Sequence, residues 1–362
     1  MPHKIWSRGL LMGLLIIALG VPPQAWPARA QQDGPQAPAP PAPSEPPKPP
    51  SGRPTPPPPQ APLPQTVLSV HAGVVTLDTV VTDQDGNLVT GLKRQNFRVL
   101  DNGQPQQVTT FAPTEAPITI VILMEFSKIG RGYFGYKARE WSYGFLNQLK
   151  PQDWVALKTF DLRTTIRADF TQNKGEVQEA IGSLIFPDFS EANLFDAVYE
   201  TVDQLRDVPG KKSILIIATG FDTFSKHNLD QILRRLKETD ITIFCIGMGA
   251  EIDLYGGGNI AYVQAQNQLS TFARLTGGYA WFPRFQGEMN GISSTVAAFL
   301  RNQYSVGFSP SSPPDGRYHK LTVQVVDDDG NPMELVNKKG KKKKVVVIAR
   351  EGYTAPSAAA VD

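Results

Sequence analysis

The chain of 362 residues holds a single cysteine, Cys245, and only four histidines. One thiol allows no intrachain disulfide, so stability has to come from core burial. Cys245 sits in the apolar run from Ile241 to Gly247, where a thiol acts as a small hydrophobe and not as a nucleophile. His3 lies in the leading segment, His71, His227 and His319 lie in separate surface-like stretches, and the four give no metal-ligand spacing. There is no Gly-x-Ser-x-Gly elbow, no lysine-bearing phosphate loop and no dinucleotide fingerprint. With no catalytic constellation in view, a non-enzymatic protein is expected. The formal net charge of +2 is too small to call for nucleic acid or a membrane surface.

Long apolar runs are also missing. The longest at the start, Leu10 to Val21, is too short to span a bilayer comfortably. Lys4 and Arg8 precede it, and Ala28-Arg29-Ala30 follows with small residues at a cleavage position, so residues 1–30 read as an export signal. Retention of that segment as an anchor is the alternative. Cleavage would remove three cations and no acid, taking the net charge from +2 to −1. An exported protein is expected, periplasmic, held at the envelope or secreted, with no integral membrane segment after cleavage.

What is abundant is proline, and sixteen of the 32 prolines lie between residues 31 and 65. Proline lacks an amide donor and fixes φ, so this stretch extends as polyproline II and buries nothing. It reads as a tether, with a docking ligand for a proline-recognising groove as the sharper alternative.

The folded part is organised around the run Ile118 to Met124, which is apolar without alternation and ends at Glu125-Phe126-Ser127. Such a strand is buried on both faces and belongs to a parallel sheet covered by helices. Strands at 154–160, 213–218, 241–246 and 279–282 alternate with helical patterns around 133–150, 174–184, 192–205, 228–239, 260–275 and 288–302, and 164–170 returns as an edge hairpin. The reading is α/β: a doubly wound, mostly parallel sheet over 115–302. Residues 66–114 and 303–353 read instead as β segments that pair into one small flanking sandwich, with 354–362 as a tail. Asp101-Asn102-Gly103 is a hairpin signal, with Val108 to Phe111 as its returning strand. Ligands of such sheets bind at the carboxyl ends of the strands, where Glu125 and Ser127 would sit; solvated turn residues are the plainer reading.

Several short pieces in order resemble the von Willebrand factor type A domain, in particular its exported bacterial members. They are Val80-Val81-Thr82-Asp83, Val89-Thr90-Gly91-Leu92, the strand into Glu125-Phe126-Ser127, Asn193-Leu194-Phe195-Asp196-Ala197, Ala218-Thr219-Gly220-Phe221-Asp222, Thr276-Gly277-Gly278 and Arg350-Glu351-Gly352-Tyr353. The resemblance implies adhesion or protein binding through a metal-ion-dependent site. There an Asp-x-Ser-x-Ser loop, a Thr and a further Asp hold a divalent cation through oxygen, as suits Mg²⁺.

This chain departs from that pattern at nearly every ligand. Glu125 replaces the Asp, and its extra methylene carries the carboxylate about an ångström farther. Ser127 is kept, Ile129 offers no oxygen, and Ala192 stands at the Thr position with Asn193 beside it as a substitute. Thr219 replaces the third-loop Asp, with Asp222 three residues on. The expectation is a degenerate site whose loops, marked by Glu125, Ser127, Asn193, Thr219 and Asp222, bind a protein partner without a cofactor. Weak Mg²⁺ or Mn²⁺ binding through Glu125, Ser127 and Asp222, bridging to a partner carboxylate, is the alternative. Tyr133, Phe134, Phe221, Phe224 and Tyr255 are candidate apolar anchors.

Two further runs complete the inventory. Gly256-Gly257-Gly258 reads as an insertion loop at the ligand-facing edge, within the stretch Asp253 to Asn259. Lys338 to Lys344 holds six lysines and reads as a solvated hairpin tip that deters edge pairing, with an anionic-surface patch as the alternative.

Overall fold

The computed structural model describes residues 73–113, 117–128, 140–185, 190–248, 258–283, 287–312, 315–336 and 340–357. The export segment, the proline-rich tether, Ile129, Tyr133, Phe134 and Tyr255 lie outside them. Among the described residues no helix is long and apolar enough to cross a membrane.

The chain enters through β1 (Val75–Asp83), β2 (Phe97–Asp101), β3 (Gln104–Gln106) and β4 (Val108–Pro113). Asn102 and Gly103 both take positive φ, 48° and 84°, as a two-residue hairpin between right-twisted strands requires. The strand returning from this hairpin is β3, and Val108 to Phe111 crosses to another sheet to pair with a strand after the α/β core. Its apolar side chains belong to the inner face of that second sheet, which the sequence reading did not separate from the hairpin.

Next comes β5 (Ile118–Glu125), in which all eight residues are buried. Side chains alternate faces along a strand, so a strand buried at every position has cover on both sides. β6 (Trp154–Phe160) and β7 (Thr164–Thr171) follow on one flank, with β8 (Lys211–Ala218), β9 (Thr242–Gly247) and β10 (Ala280–Trp281) on the other. The resulting sheet runs β10-β9-β8-β5-β6-β7. Every neighbour pair is parallel except the β6–β7 hairpin.

One face of that sheet, with Ile120, Ile122 and Met124, packs under α1 (helical at 140–146), α2 (Lys174–Gly182) and α6 (Glu288–Arg301). The other face, with Val121 and Leu123, packs under α3 (Leu194–Leu205), α4 (Leu229–Glu238) and α5 (Gly258–Thr276). Gly258, read from sequence as part of a loop, is the first residue of α5. α5 ends at Gly277, where φ is 80°, and a Cβ on the next residue, Gly278, would lie 1.9 Å from the Ile243 carbonyl oxygen. Only glycine lets the chain turn that close to β9.

Strands from before and after this α/β core then share two antiparallel sheets. After the core come β11 (Tyr304–Phe308), β12 (Tyr318–Val325), β13 (Glu334–Val336), β14 (Lys342–Ile348) and β15 (Gly352–Thr354). The sheets run β13-β14-β1-β11-β4 and β15-β12-β2-β3. Leu77, Val99, Val306, Phe308, Leu321 and Tyr353 form their common core. Neither flank supplies a whole sheet, so the sandwich needs both. Its backbone bonding also passes residue 353: Ala355 N donates to Arg317 O, and Ser357 bridges Asp315.

Two surface readings change. Lys342, Lys343 and Lys344 are not at a hairpin tip but inside β14, paired with β13. Lys342 meets Glu334 at 2.6 Å, and Lys343 reaches Asp83 and Asp85, so the run is partly neutralised. His319, read as surface, is buried in β12, because it shares the inward parity of Leu321 and Val325.

Candidate functional site

β5 and β8 are parallel neighbours, with Met124 level with Ile217. Their carboxyl ends therefore open at one crest, and Thr219 begins the loop beside Glu125. Glu125 Oε2 accepts hydrogen bonds from Thr219 N and Thr219 Oγ1, both at 2.7 Å. Ser127 Oγ donates to Glu125 Oε1, also at 2.7 Å. The longer side chain that separates Glu from Asp is what spans the gap between the first and third loops.

This bridge is dry. Glu125 is 1% exposed, Ser127 0% and Thr219 2%, so the reading of Glu125 and Ser127 as solvated turn residues fails. Burial raises the Glu125 pKa, and the hydrogen bonds from Thr219 and Ser127 pull it down without cancelling the rise. No cation pairs with it among the described residues. When Glu125 takes a proton, Oε1 is the oxygen that carries it, since Oε2 faces an amide that can only donate.

The second and third loops are joined as closely. Ala192 O accepts from Thr223 N at 2.8 Å and Phe224 N at 3.1 Å, while Ala192 N donates to Thr223 Oγ1 at 2.9 Å. Asn193 N donates to Asp161 O in the β6–β7 turn at 2.8 Å. The Asn193 side chain is buried, and its Oδ1 has no hydrogen-bond partner among the described residues.

Asp222 Oδ1 accepts from Phe195 N at 3.0 Å and from Ser225 Oγ at 2.5 Å, which caps the first turn of α3 from a neighbouring loop. Burial raises its pKa despite those bonds. Asp196, in that same turn, accepts from Lys226 N, His227 N and His227 Nδ1, the last at 2.6 Å. His227 in turn stacks on Tyr199, centroids 4.0 Å apart. Residues 222–227 thus form a strap over the start of α3, which the sequence reading missed. An acidic residue in the first helical turn, Asp196, was its one local signal.

Behind the third loop, Gly220 takes φ of 91°, and a Cβ there would lie 2.8 Å from Ala265 O. Gln268 Nε2 donates to Gly220 O at 2.9 Å, so α5 backs the loop. The rim is apolar in part: Phe224 is 59% exposed, with Ile260 and Val263 exposed on the opening turns of α5. Phe221 is half-buried.

Of the sequence candidates, the structure brings Glu125, Ser127 and Thr219 together, while Asp222 serves α3 and Asn193 the second loop. Mg²⁺ takes about six oxygens near octahedral geometry. Here the one carboxylate beside Ser127 already accepts three donors, Thr219 gives its hydroxyl proton to it, and Ala192 offers only a methyl group. Among the described residues no group of three or more His, Cys, Asp or Glu is placed to hold a metal ion. The described residues do not fit a divalent ion.

The family model for the von Willebrand factor type A domain matches residues 119–271, the segment from β5 through most of α5. Residues 119–271 form a von Willebrand factor type A domain. No curated relative matches the chain. Among solved structures the chain is similar to a von Willebrand factor type A protein from Catenulispora acidiphila, at 11% identity, with 79% of this chain and 76% of that one covered and a TM-score of 0.41. It is similar to the vWF domain of the type V pili tip protein Mfa5 from Porphyromonas gingivalis, at 11% identity, 52% and 97% coverage and a TM-score of 0.39. It is also similar to the PilB minor pilin from Streptococcus sanguinis, at 10% identity and a TM-score of 0.39; 52% of this chain is covered, and only 63% of that one. In this chain the type A domain is set between the two halves of the sandwich, and its crest is the edge that carries Glu125.

Proposed function

We propose that the chain is an exported, non-enzymatic protein-interaction module that meets its partner at the crest of the type A domain without a divalent ion. The observation that carries this is the Glu125 bridge: three donors at 2.7 Å occupy the carboxyl group that a cation would need. With the loops joined internally, recognition falls to protein surface, and Phe224 is an exposed aromatic beside the joined loops. Export is supported by the basic, apolar and small-residue order of residues 1–30.

Calorimetric titration of the full chain with Mg²⁺ and with Mn²⁺, followed by partner capture with and without chelator, tests the reading. The expected result is no micromolar binding heat and identical capture in both conditions. Micromolar cation binding that disappears in Glu125→Ala, with capture lost to chelator, would establish the cation-dependent adhesion module instead.

A further inference from the structure

The four-stranded sheet encloses a second buried ionisable cluster, built from β2, β12, β15 and the turn before β12. His319 Nδ1 lies 2.9 Å from Asp101 Oδ1 and 3.1 Å from Asp101 Oδ2. On the other side of the ring, Nε2 lies 3.2 Å from Asp315 Oδ1. Tyr353 O–H donates to Asp101 Oδ2 at 3.0 Å and stands 3.5 Å from Nδ1. Asp101 faces the ring from β2, Tyr353 from β15 and Asp315 from the turn, where Arg317 N donates to Asp315 Oδ1 at 2.8 Å.

Both ring nitrogens thus face carboxylate oxygens, which only accept. A neutral imidazole has one N–H, so one of the two contacts would set a lone pair against a carboxylate. Only the imidazolium satisfies both. The two carboxylates also differ in what they can tolerate: Asp101 is 1% exposed and must keep its donors, whereas Asp315 is 37% exposed and can turn to water.

We infer that His319 is a proton-operated latch on the C-terminal strand, closed as the imidazolium between Asp101 and Asp315 and opened on the Asp315 side when the ring is neutral. Opening frees the turn at 315–317, which is held to the chain end by Gly316 N to Pro356 O at 3.0 Å, Ala355 N to Arg317 O at 2.8 Å and the Asp315–Ser357 bridge. The residues just before β15 also grip the type A domain, through Arg350 Nη2 to Thr239 O at 2.6 Å and the Arg274–Glu351 pair. The latch therefore sits where the sandwich meets that domain.

The electrostatics agree with the geometry. Burial pulls the His319 pKa down, but the hydrogen bonds and charges of Asp101 and Asp315 outweigh it and leave the value above the ordinary 6.5. A base with a raised folded pKa contributes fully below about 6.5 and loses that contribution as pH rises through its folded value. The latch is closed in mild acid and opens toward alkaline pH.

The test is amide exchange of Gly316 and Ala355 in the full chain between about pH 5.5 and 9, corrected for intrinsic rates, beside the His319 ring-proton shift. The expected result is a common midpoint above 6.5, with exchange faster above it by about tenfold per unit of His319 displacement. In Asp315→Asn, an exposed position that leaves the core intact, the ring midpoint falls and the step in exchange disappears. Corrected exchange that stays level through the ring titration would overturn the latch, as would a midpoint unmoved in Asp315→Asn.

Discussion

Glu125 at the crest and His319 in the sandwich are both buried and both held by hydrogen-bonding neighbours, two residues for Glu125 and three for His319, yet their surroundings are opposites. Glu125 meets only neutral donors, from Ser127 and Thr219. His319 lies between two carboxylates with a phenol alongside. Burial without a counter-charge favours the neutral acid, while burial between acids favours the charged base. Both pKa values therefore rise. The sign for stability is also shared: each folded state binds its proton more tightly than the unfolded chain does, so stability falls as pH rises. Only the windows differ, starting near 4.5 for Glu125 and near 6.5 for His319. The lesson is that one direction of shift can mark an acid buried among neutral donors in one region and a base buried among acids in another.

The largest effect that separates the two belongs to His319→Ala. Among the described residues it leaves the buried Asp101 carboxylate with the Tyr353 hydroxyl as its remaining side-chain donor. Removing one partner from a buried ion pair costs about 3–5 kcal/mol. Chemical denaturation at pH 6 should show a loss of that size, and a loss under 1 kcal/mol would mean that the cluster is not ionic.

Glu125→Ala comes next. It leaves Thr219 N and Ser127 Oγ without their acceptor, at about 1–3 kcal/mol for such an unsatisfied group. Glu125→Gln should cost less than about 1 kcal/mol, because an amide oxygen can take the Thr219 N–H while its nitrogen donates to Ser127 Oγ. Equal losses for Ala and Gln in urea denaturation would show that the crest depends on a carboxylate charge, and the contrast with His319 would collapse. The pH profile sharpens the same point. In Glu125→Gln the decline in stability that starts near 4.5 should vanish, while the decline that starts near 6.5, owed to His319, persists.

How much of this was legible beforehand depends on the range of the contact. The unbroken apolar run of β5 announced a doubly covered sheet, and Asn102-Gly103 announced a hairpin, because each signal lies within a few residues. That the flanks share one sandwich was also readable, since neither holds enough strands alone. The Glu125–Thr219 bridge joins positions 94 residues apart, and only the register of β5 against β8 makes it visible. The strap over α3 is hidden for the same reason. His319 is different, since its place in the alternation with Leu321 and Val325 carried the inward signal, and histidine's intermediate burial preference masked it. Asp101 follows the same rule, in step with Phe97 and Val99 on β2.

Salt should divide the two sites by the smallest margin. The His319 cluster is an ion pair with one side, Asp315, open to solvent, so part of its field crosses water. At 1 M salt the screening length is about 3 Å, comparable to the contact itself. The His319 midpoint should then move back toward 6.5, followed by its ring-proton shift in the native chain. Glu125 has no charged partner among the described residues and no exposed side for ions to approach, so the decline that starts near 4.5 should keep its place in the same salt. Movement of both midpoints by equal amounts would point to the net charge of the whole chain as the cause, and the two sites would no longer be distinguished by their immediate neighbours.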